Sequence, residues 1–101
     1  FLNVFAPCPR GWGYSEELLM DINKLAVDTC YWPLYEVING KYVINYKPVK
    51  KKPIEDFLRP QKRFKHMFKE GNEWMIEEFQ KEVDRRWEEL LMLEEATKNI
   101  E

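Results

Sequence analysis

The chain has 101 residues, with sixteen Lys and Arg against eighteen Asp and Glu and a formal net charge of -2. This length suffices for one small domain and is too short for a doubly wound cofactor-binding enzyme. The charge balance gives no overall attraction to nucleic acid or to an anionic membrane, so neither is expected as a partner. Two cysteines are too few for a disulfide framework, and no apolar run has the roughly 20 residues of a membrane span, which favours a reducing cytoplasm.

The first predicted element is a strand in the run 1–6, which is apolar, aromatic and β-branched and stops at Pro7. Such a run is typical of a buried strand of a parallel sheet, which has neighbours on both sides. Because Phe1 stands first and no basic leader precedes the run, we expect the chain to begin inside a fold. The segment 7–13 is predicted as a loop.

A helix is predicted from Ser15, which is a suitable N-cap and is followed by two acidic residues. Its apolar residues recur at spacings of three and four and form one stripe, which we expect to pack on the sheet. They are Leu18, Leu19, Ile22, Leu25 and Ala26. The polar positions Asp21, Asn23, Lys24 and Asp28 are expected to face water. Strand, loop and helix in this order indicate an α/β fold.

A β-hairpin is predicted over 35–46, because Asn39-Gly40 tolerates the positive φ angles of a two-residue type I′ turn. The turn also fixes the register of the two strands. The predicted cross-strand pairs are Tyr35 with Ile44 and Val37 with Tyr42. These pairs give the hairpin an apolar face, which must pack on another element.

The second half of the chain is predicted as an exposed linker followed by helices. The linker contains three consecutive lysines, 50–52, which are more typical of a solvated segment than of a phosphate site. A short helix is expected to begin at Pro53 and to stop at Pro60. A long terminal helix is predicted after an N-cap at Asn72. Its apolar stripe comprises Ile76, Phe79, Val83, Trp87, Leu90 and Leu91.

The sequence contains no complete constellation of catalytic residues. His66 is the one histidine and has no serine or cysteine near it, so a structural or surface role is expected. Most carboxylates fall on helix faces together with Lys and Arg, which favours solvated ion pairs over acid–base chemistry. Trp32, Trp74 and Trp87 lie among apolar positions and are expected in the core or at an interface.

Cys8 is the residue best suited to chemistry. Pro7 and Pro9 fix the backbone on both sides of it and remove two amide donors. The loop therefore presents one thiol at the carboxyl end of the predicted strand, where cofactors bind in open α/β sheets. Two interpretations stay open at this point, a ligand of a metal cofactor and a small buried hydrophobe.

Three residues after Cys8 suit an anionic cofactor. The N–H groups of Gly11 and Gly13 are expected to reach such a cofactor or a cluster sulfur, and Trp12 is expected to screen it from water. One cysteine supplies only one of the four thiolates that a cubane cluster takes. Cys30 lies at the far end of the predicted helix, roughly 20 Å away, so shared ligation by the two cysteines is not expected.

A series of short motifs occurs in order along the chain. They are Pro7-Cys8-Pro9-Arg10-Gly11-Trp12, Leu25-Ala26-Val27, Trp32-Pro33-Leu34-Tyr35-Glu36, Lys52-Pro53 and Gln61-Lys62-Arg63-Phe64-Lys65-His66. With these motifs, the stretch from 1 to about 87 resembles the carboxy-terminal region of the β subunits of pyruvate:ferredoxin oxidoreductases and of the related 2-oxoisovalerate enzymes. Two positions depart from the resemblance, because Arg10 stands where relatives usually carry Thr, and Cys30 where they often carry Gly.

The resemblance implies a division of the chain into two regions. Residues 1–48 would form the end of a parallel-sheet α/β domain that binds thiamine diphosphate, with the hairpin attached. Residues 49–101 would form a linker and a helical carboxy-terminal tail. The family's Gly-Asp-Gly diphosphate signature and its three other ligand cysteines would lie upstream of Phe1, so the isolated segment is expected to be inactive.

The resemblance also implies cofactors, a reaction and partners. The β subunits bind thiamine diphosphate with Mg²⁺ and a proximal 4Fe–4S cluster, and Cys8 would be one of the four cluster ligands. The enzymes decarboxylate pyruvate or a related 2-oxoacid to acyl-CoA and pass electrons through clusters to ferredoxin. Expected partners are therefore the other subunits of the complex, ferredoxin and coenzyme A.

Two other classes of function compete with this one. The first is a stand-alone interaction module without catalysis, in which the hairpin and the terminal helix dock a partner and Cys8 is merely buried. The second is a nucleic-acid-binding domain centred on the lysines 50–52, which the acidic charge balance disfavours.

Overall fold

A computed structural model describes residues 3–99. The elements in chain order are α1 (Pro9–Trp12), a 3₁₀ turn (Glu16–Leu18) that leads into α2 (Leu19–Asp28), β1 (Tyr35–Ile38), β2 (Lys41–Ile44), α3 (Ile54–Leu58), a 3₁₀ helix (Lys62–Phe68) and α4 (Glu73–Thr97). The two strands form one antiparallel sheet. Helices and this hairpin therefore build the described region of the chain.

The strand predicted for the run 1–6 is not formed by residues 3–6, which lack regular structure. Phe1 and Leu2 lie outside the described residues. A strand needs hydrogen-bonding neighbours, and residues 3–99 offer no parallel partner, since their sheet consists of β1 and β2 alone. The ring of Phe5 packs instead against Trp12 and Trp32, with ring centroids 5.5 and 5.0 Å apart.

The predicted helix after Ser15 is confirmed, with a 3₁₀ first turn before α2. Ile22 and Ala26 of the predicted stripe are fully buried. The main packing partner of this helix is α3, whereas the sequence predicted a sheet. Asp28 does not face water as predicted: it is only 6% exposed, and its carboxylate accepts a hydrogen bond of 2.9 Å from the Tyr46 hydroxyl.

The hairpin is confirmed together with its register. Tyr35 lies opposite Ile44 and Val37 opposite Tyr42. Asn39 and Gly40 have the positive φ angles, 53° and 81°, that the predicted turn requires.

The hairpin docks on α4 through hydrogen bonds along the outer edge of β2. The N–H of Tyr42 donates to Thr97 Oγ1 at 2.9 Å, and the N–H of Ile44 donates to Glu94 Oε2 at 2.8 Å. These side chains satisfy backbone donors that a free edge strand would leave unpaired. The outer edge of β2 is thus covered by α4.

The long terminal helix is also confirmed, and its stripe faces the core. Val83, Trp87 and Leu90 are buried. Asn72 precedes α4 as predicted, but its side-chain amide donates to the His66 carbonyl at 2.7 Å and does not cap the helix. Trp74, in contrast, is 58% exposed and does not join the core.

Helix α3 forms the centre of the packing. It begins one residue after Pro53, and Ile54, Phe57 and Leu58 are fully buried between α2 and α4. The linker before it is irregular as predicted. Lys51 of this linker is nevertheless held, because it forms an ion pair with Asp84 of α4. Among residues 3–99, no helix is both long and apolar enough to cross a membrane.

Candidate functional site

The segment around Cys8 is a short helical turn, where the sequence predicted a loop. Pro9 is its first residue, a position that suits proline because no N–H is needed there. Cys8 is the N-cap, and its carbonyl accepts a 2.9 Å hydrogen bond from the Trp12 N–H. The turn holds Cys8 in a defined backbone conformation, with φ -110° and ψ 108°.

The thiol of Cys8 is accessible and has one hydrogen-bond donor. The N–H of Gly11 donates to Cys8 Sγ at 3.4 Å, an N-cap contact in which sulfur replaces the usual side-chain oxygen. A Cβ atom on residue 11 would lie 3.4 Å from the same sulfur, at the edge of ordinary van der Waals contact. Cys8 is exposed, which contradicts its interpretation as a buried hydrophobe within the described structure.

Gly13 ends the turn and seats it on the 3₁₀ helix. Its φ of 72° lies in the left-handed region, and its N–H donates to the Pro9 carbonyl at 2.9 Å. Its carbonyl accepts from the Lys62 N–H at 2.9 Å. A Cβ atom here would lie 2.6 Å from Lys62 Cβ. The amide of Gly13 is therefore occupied within the turn, while that of Gly11 already reaches a sulfur.

Trp12 forms the wall behind the turn. Its ring lies 5.5 Å from Phe5 and 6.4 Å from Phe57, centroid to centroid. The guanidinium of Arg63 covers the ring at 3.8 Å from its centroid. Arg63 Nε also donates to Gln61 Oε1 at 2.7 Å, so the cation is held in place from two sides. Although Arg63 is exposed as a residue, partial burial of its guanidinium lowers its pKa.

Tyr14 carries a buried hydroxyl without a hydrogen-bond partner among the described residues. The residue is 9% exposed. Burial raises the pKa of this hydroxyl, the nearby Cys8 raises it further, and Arg63 acts in the opposite direction. An unpaired buried hydroxyl costs about 1–3 kcal/mol, so its site is suited to a polar group supplied from elsewhere. Tyr14 therefore contributes a buried hydroxyl donor that is unpaired within residues 3–99.

Cys30 is not part of the Cys8 turn. It is 3% exposed at the end of α2, and burial is the main cause that raises its pKa from 9.0 to about 11. Across residues 3–99, no three His, Cys, Asp or Glu side chains are grouped so as to hold a metal ion. The Cys8 turn therefore offers one accessible thiol, whereas the thiol of Cys30 is buried.

The chain is similar along most of its length to subunits of two kinds of oxidoreductase. It is 48% identical to the pyruvate synthase subunit PorB of Thermotoga maritima over 98% of this chain and 31% of that protein. It is 50% identical to the ketoisovalerate oxidoreductase subunit VorB of Pyrococcus furiosus over 95% of this chain and 30% of that protein. It is 44% identical to PorB of Methanocaldococcus jannaschii over 85% of this chain and 28% of that protein.

The resemblance to these subunits is confirmed. No protein-family model matches the chain. The chain spans about 30% of the length of the curated relatives it matches.

Two residues of the site, Arg63 and Tyr14, could not be identified from the sequence. Arg63 stands out there only as a member of a motif, and Tyr14 carries no signal of its own. Their roles depend on contacts between distant segments, namely the stacking of Arg63 on Trp12 and the burial of Tyr14 beside the same ring. The one available signal was the basic composition of the motif that contains Arg63.

Proposed function

We propose that the chain belongs to the β subunit of a 2-oxoacid:ferredoxin oxidoreductase and that Cys8 supplies one thiolate ligand of its 4Fe–4S cluster. The observation that carries this proposal is the exposed Cys8 thiol with the Gly11 N–H directed at its sulfur, in a chain about half identical to subunits of these enzymes. Cluster thiolates commonly accept such backbone N–H···S hydrogen bonds, which tune the potential of the cluster.

The residues present fit one corner of a cluster. Cys8 is the soft sulfur ligand that iron–sulfur clusters require, and the Gly11 N–H donates to its sulfur. The cluster, when bound, supplies one-electron transfer. The chain itself contributes the fixed position of Cys8 and the aromatic wall of Trp12 and Phe5 behind the turn, which limits access of water.

The remaining chemistry belongs to the rest of the subunit. Thiamine diphosphate and Mg²⁺ are assigned no residue of this chain, because a Gly-Asp-Gly signature is absent from its sequence. We propose the division inferred from the sequence, with residues 1–48 as the end of the thiamine-diphosphate-binding domain and residues 49–101 as linker and helical tail. The substrate class is a 2-oxoacid such as pyruvate or 2-oxoisovalerate, with coenzyme A and ferredoxin as co-substrates in a reducing cytoplasm.

The test compares two cysteine variants in the assembled enzyme. Cys8→Ser replaces a soft thiolate by a hydroxyl and should remove or convert one cluster, which corresponds to a loss of up to about four iron atoms per subunit. The matched control Cys30→Ser should keep its full iron content. Both variants should keep thiamine diphosphate. The measurements are iron, acid-labile sulfide and thiamine content, with low-temperature electron paramagnetic resonance. Full iron content and unchanged spectra in Cys8→Ser would contradict the proposal.

The second candidate function is an interaction module, which the exposed apolar side chains of β1 support. Tyr35, Val37 and Ile38 expose about half of their surface along the free edge of the hairpin. Exposed apolar edge strands are typical docking surfaces. If the purified protein contains neither iron nor thiamine diphosphate and still binds a partner through this edge, this second function is the correct one.

A further inference from the structure

The segment from Arg59 to Lys69 is basic. It holds five Lys and Arg residues and no Asp or Glu, whereas the whole chain has a net charge of -2. Helix α4 is the opposite, with nine Asp and Glu against three Lys and Arg. Charge is therefore unevenly distributed, with this segment basic and α4 acidic.

The 3₁₀ helix Lys62–Phe68 sorts these residues into rows. With three residues per turn, side chains three positions apart lie above one another. The inward row contains Gln61, Phe64 and Met67, of which Gln61 and Met67 are buried. The two outward rows carry the charge. The first row consists of Lys62, Lys65 and Phe68, with Arg59 one turn earlier. The second row consists of Arg63, His66 and Lys69.

The first outward row lines a shallow depression of about 190 Å³. Arg59, Lys62 and Lys65 form its rim, and the guanidinium of Arg59 lies 4.6 Å from the ring centroid of Phe68. On the neighbouring row, Arg63 is fixed on Trp12. Two of the five cations are thus held on aromatic rings before any ligand arrives, which lowers the entropy lost on binding.

These cations are scarcely neutralised within the described region of the chain. Arg59 forms one exposed ion pair, with Glu55 at 3.3 Å. For Lys62, Arg63, Lys65 and Lys69, residues 3–99 provide no carboxylate within salt-bridge distance. Elsewhere in the chain, by contrast, Lys47 and Lys51 both pair with acidic residues of α4. Within residues 3–99, the fold therefore leaves four of the five cations of this segment available to an external anion.

We infer that the cationic face formed by Arg59, Lys62, Arg63, Lys65 and Lys69 docks a carboxylate-rich surface of another subunit of the same complex. The inference depends on one part of the proposed function, namely that the chain belongs to a multisubunit enzyme. The relatives are named as subunits of such enzymes. Complementary charge of this kind steers association and fixes the orientation of the partners.

A protein partner fits this face better than nucleic acid. The rings next to the cations are covered by them: Arg59 lies over Phe68, and Arg63 over Trp12. They are therefore not free to stack on bases, as single-strand binding requires. A long polyanion would also be repelled by the acidic α4, whereas a compact acidic surface can match the face alone.

The docked face would lie against the Cys8 turn. Lys62 packs on Gly13 through a 2.9 Å backbone hydrogen bond, and Arg63 covers Trp12 of the same turn. A subunit bound to the cationic face would therefore contact the element that carries Cys8. This places the contact beside the proposed cluster ligand without requiring that ligand for binding.

Zero-length carbodiimide cross-linking of the assembled complex tests the inference directly. The reagent joins a lysine amine to a carboxylate only where the two are in ion-pair contact. Peptide mass spectrometry should find Lys62, Lys65 or Lys69 coupled to Asp or Glu of another subunit. Lys50 and Lys52, which are exposed on the linker, serve as matched controls and should not be coupled to that subunit. Cross-links confined to the same polypeptide, or no more frequent than those of the controls, would overturn the inference.

Charge-reversal variants provide a second test of the docking inference. Lys62→Glu together with Lys65→Glu should weaken the binding of the partner subunit roughly tenfold or more at low salt, and less at high salt. Lys50→Glu with Lys52→Glu changes the same net charge and should have little effect. Subunit dissociation is measured by sedimentation, and iron content shows that each variant is folded. Loss of oligonucleotide binding with unchanged subunit affinity would overturn the inference in favour of nucleic acid. If Cys8→Ser retains the cluster, the ligand proposal is wrong. The cross-links test the docking inference independently of that result.

Discussion

The two cysteines of this chain show how strongly surroundings decide what a thiol can do. Cys8 is exposed at the start of a helical turn, and the Gly11 N–H is directed at its sulfur. Cys30 is buried at the end of α2, where desolvation raises its pKa to about 11. Burial in apolar surroundings makes a thiol inert, whereas access and a hydrogen-bond donor suit a metal ligand. The same residue type is thus a candidate ligand in one region and a packing residue in the other.

The contrast extends to the backbone. Both regions end in a residue with left-handed φ, which is Gly13 at 72° after the Cys8 turn and Cys30 itself at 65° after α2. Glycine adopts this conformation freely, but a side chain there is strained by roughly 1 kcal/mol or more. The N–H of Cys30 donates to the Val27 carbonyl at 3.1 Å, as expected at a helix end.

Alkylation should show the largest difference between the two cysteines. In protein free of cluster, iodoacetamide should label Cys8 roughly 100-fold faster than Cys30, because Cys30 reacts only after local opening. The rates are measured by mass spectrometry with isotope-coded reagent, and both thiols should react alike in denaturant. In the cluster-loaded enzyme, Cys8 should become protected until iron is removed. Equal rates in the folded protein would show that the exposure of the two thiols does not differ as described.

Substitution of the glycine that ends the Cys8 turn should have the next largest effect. Gly13→Ala combines left-handed strain with a Cβ that would lie 2.6 Å from Lys62 Cβ, and it should lower the free energy of unfolding by about 2–4 kcal/mol. Gly71→Ala is the matched control, since its φ is 89° but no atom lies within 4 Å of the added carbon. The control should lose about 1–2 kcal/mol. Equal losses of the free energy of unfolding in denaturant titrations would show that the added Cβ at position 13 does not clash with Lys62.

The buried thiol should make stability depend on alkaline pH. The pKa of Cys30 rises from 9.0 to about 11 on folding, so the unfolded chain releases this proton first. The protonated thiol of Cys30 therefore contributes fully to the free energy of unfolding below about pH 9. As the pH rises towards 11, this contribution is lost, and the free energy of unfolding falls by up to about 2–3 kcal/mol. Urea titrations across this range measure it, and the difference between the parent and Cys30→Ala isolates it from other groups. An identical pH dependence in both proteins would refute the assignment.

The smallest effect concerns the strain at Cys30. Cys30→Gly removes the left-handed strain, while Cys30→Ala keeps it, and both lose the buried sulfur. The glycine variant should therefore be more stable than the alanine variant by about 1 kcal/mol, reduced to some extent by the greater freedom of glycine in the unfolded chain. Thermal unfolding of the two variants side by side provides the measurement. A more stable alanine variant would show that the backbone here is not strained.

Residues close together in the sequence determined the elements of the fold that were predicted correctly. Asn39-Gly40 is sufficient to specify the turn and hence the pairing of Tyr35 with Ile44, because a two-residue loop leaves one register. The stripe of α4 follows from a 3.6-residue period over many turns. The N-cap contact of Cys8 with the Gly11 N–H is also local, since the two residues are three positions apart, but the sequence predicted a loop there and not this turn.

The tertiary structure alone decided the features that depend on distant segments. The apolar run 1–6 is compatible with a strand, but residues 3–6 have no neighbouring strand and pack Phe5 between two tryptophans instead. Asp28 is buried because Tyr46 reaches back to its carboxylate. Likewise, the sequence shows that Arg63 is basic, and only the fold places it on Trp12. A residue's spacing in the sequence fixes its local conformation, whereas its burial and partners depend on which remote segments fold against it.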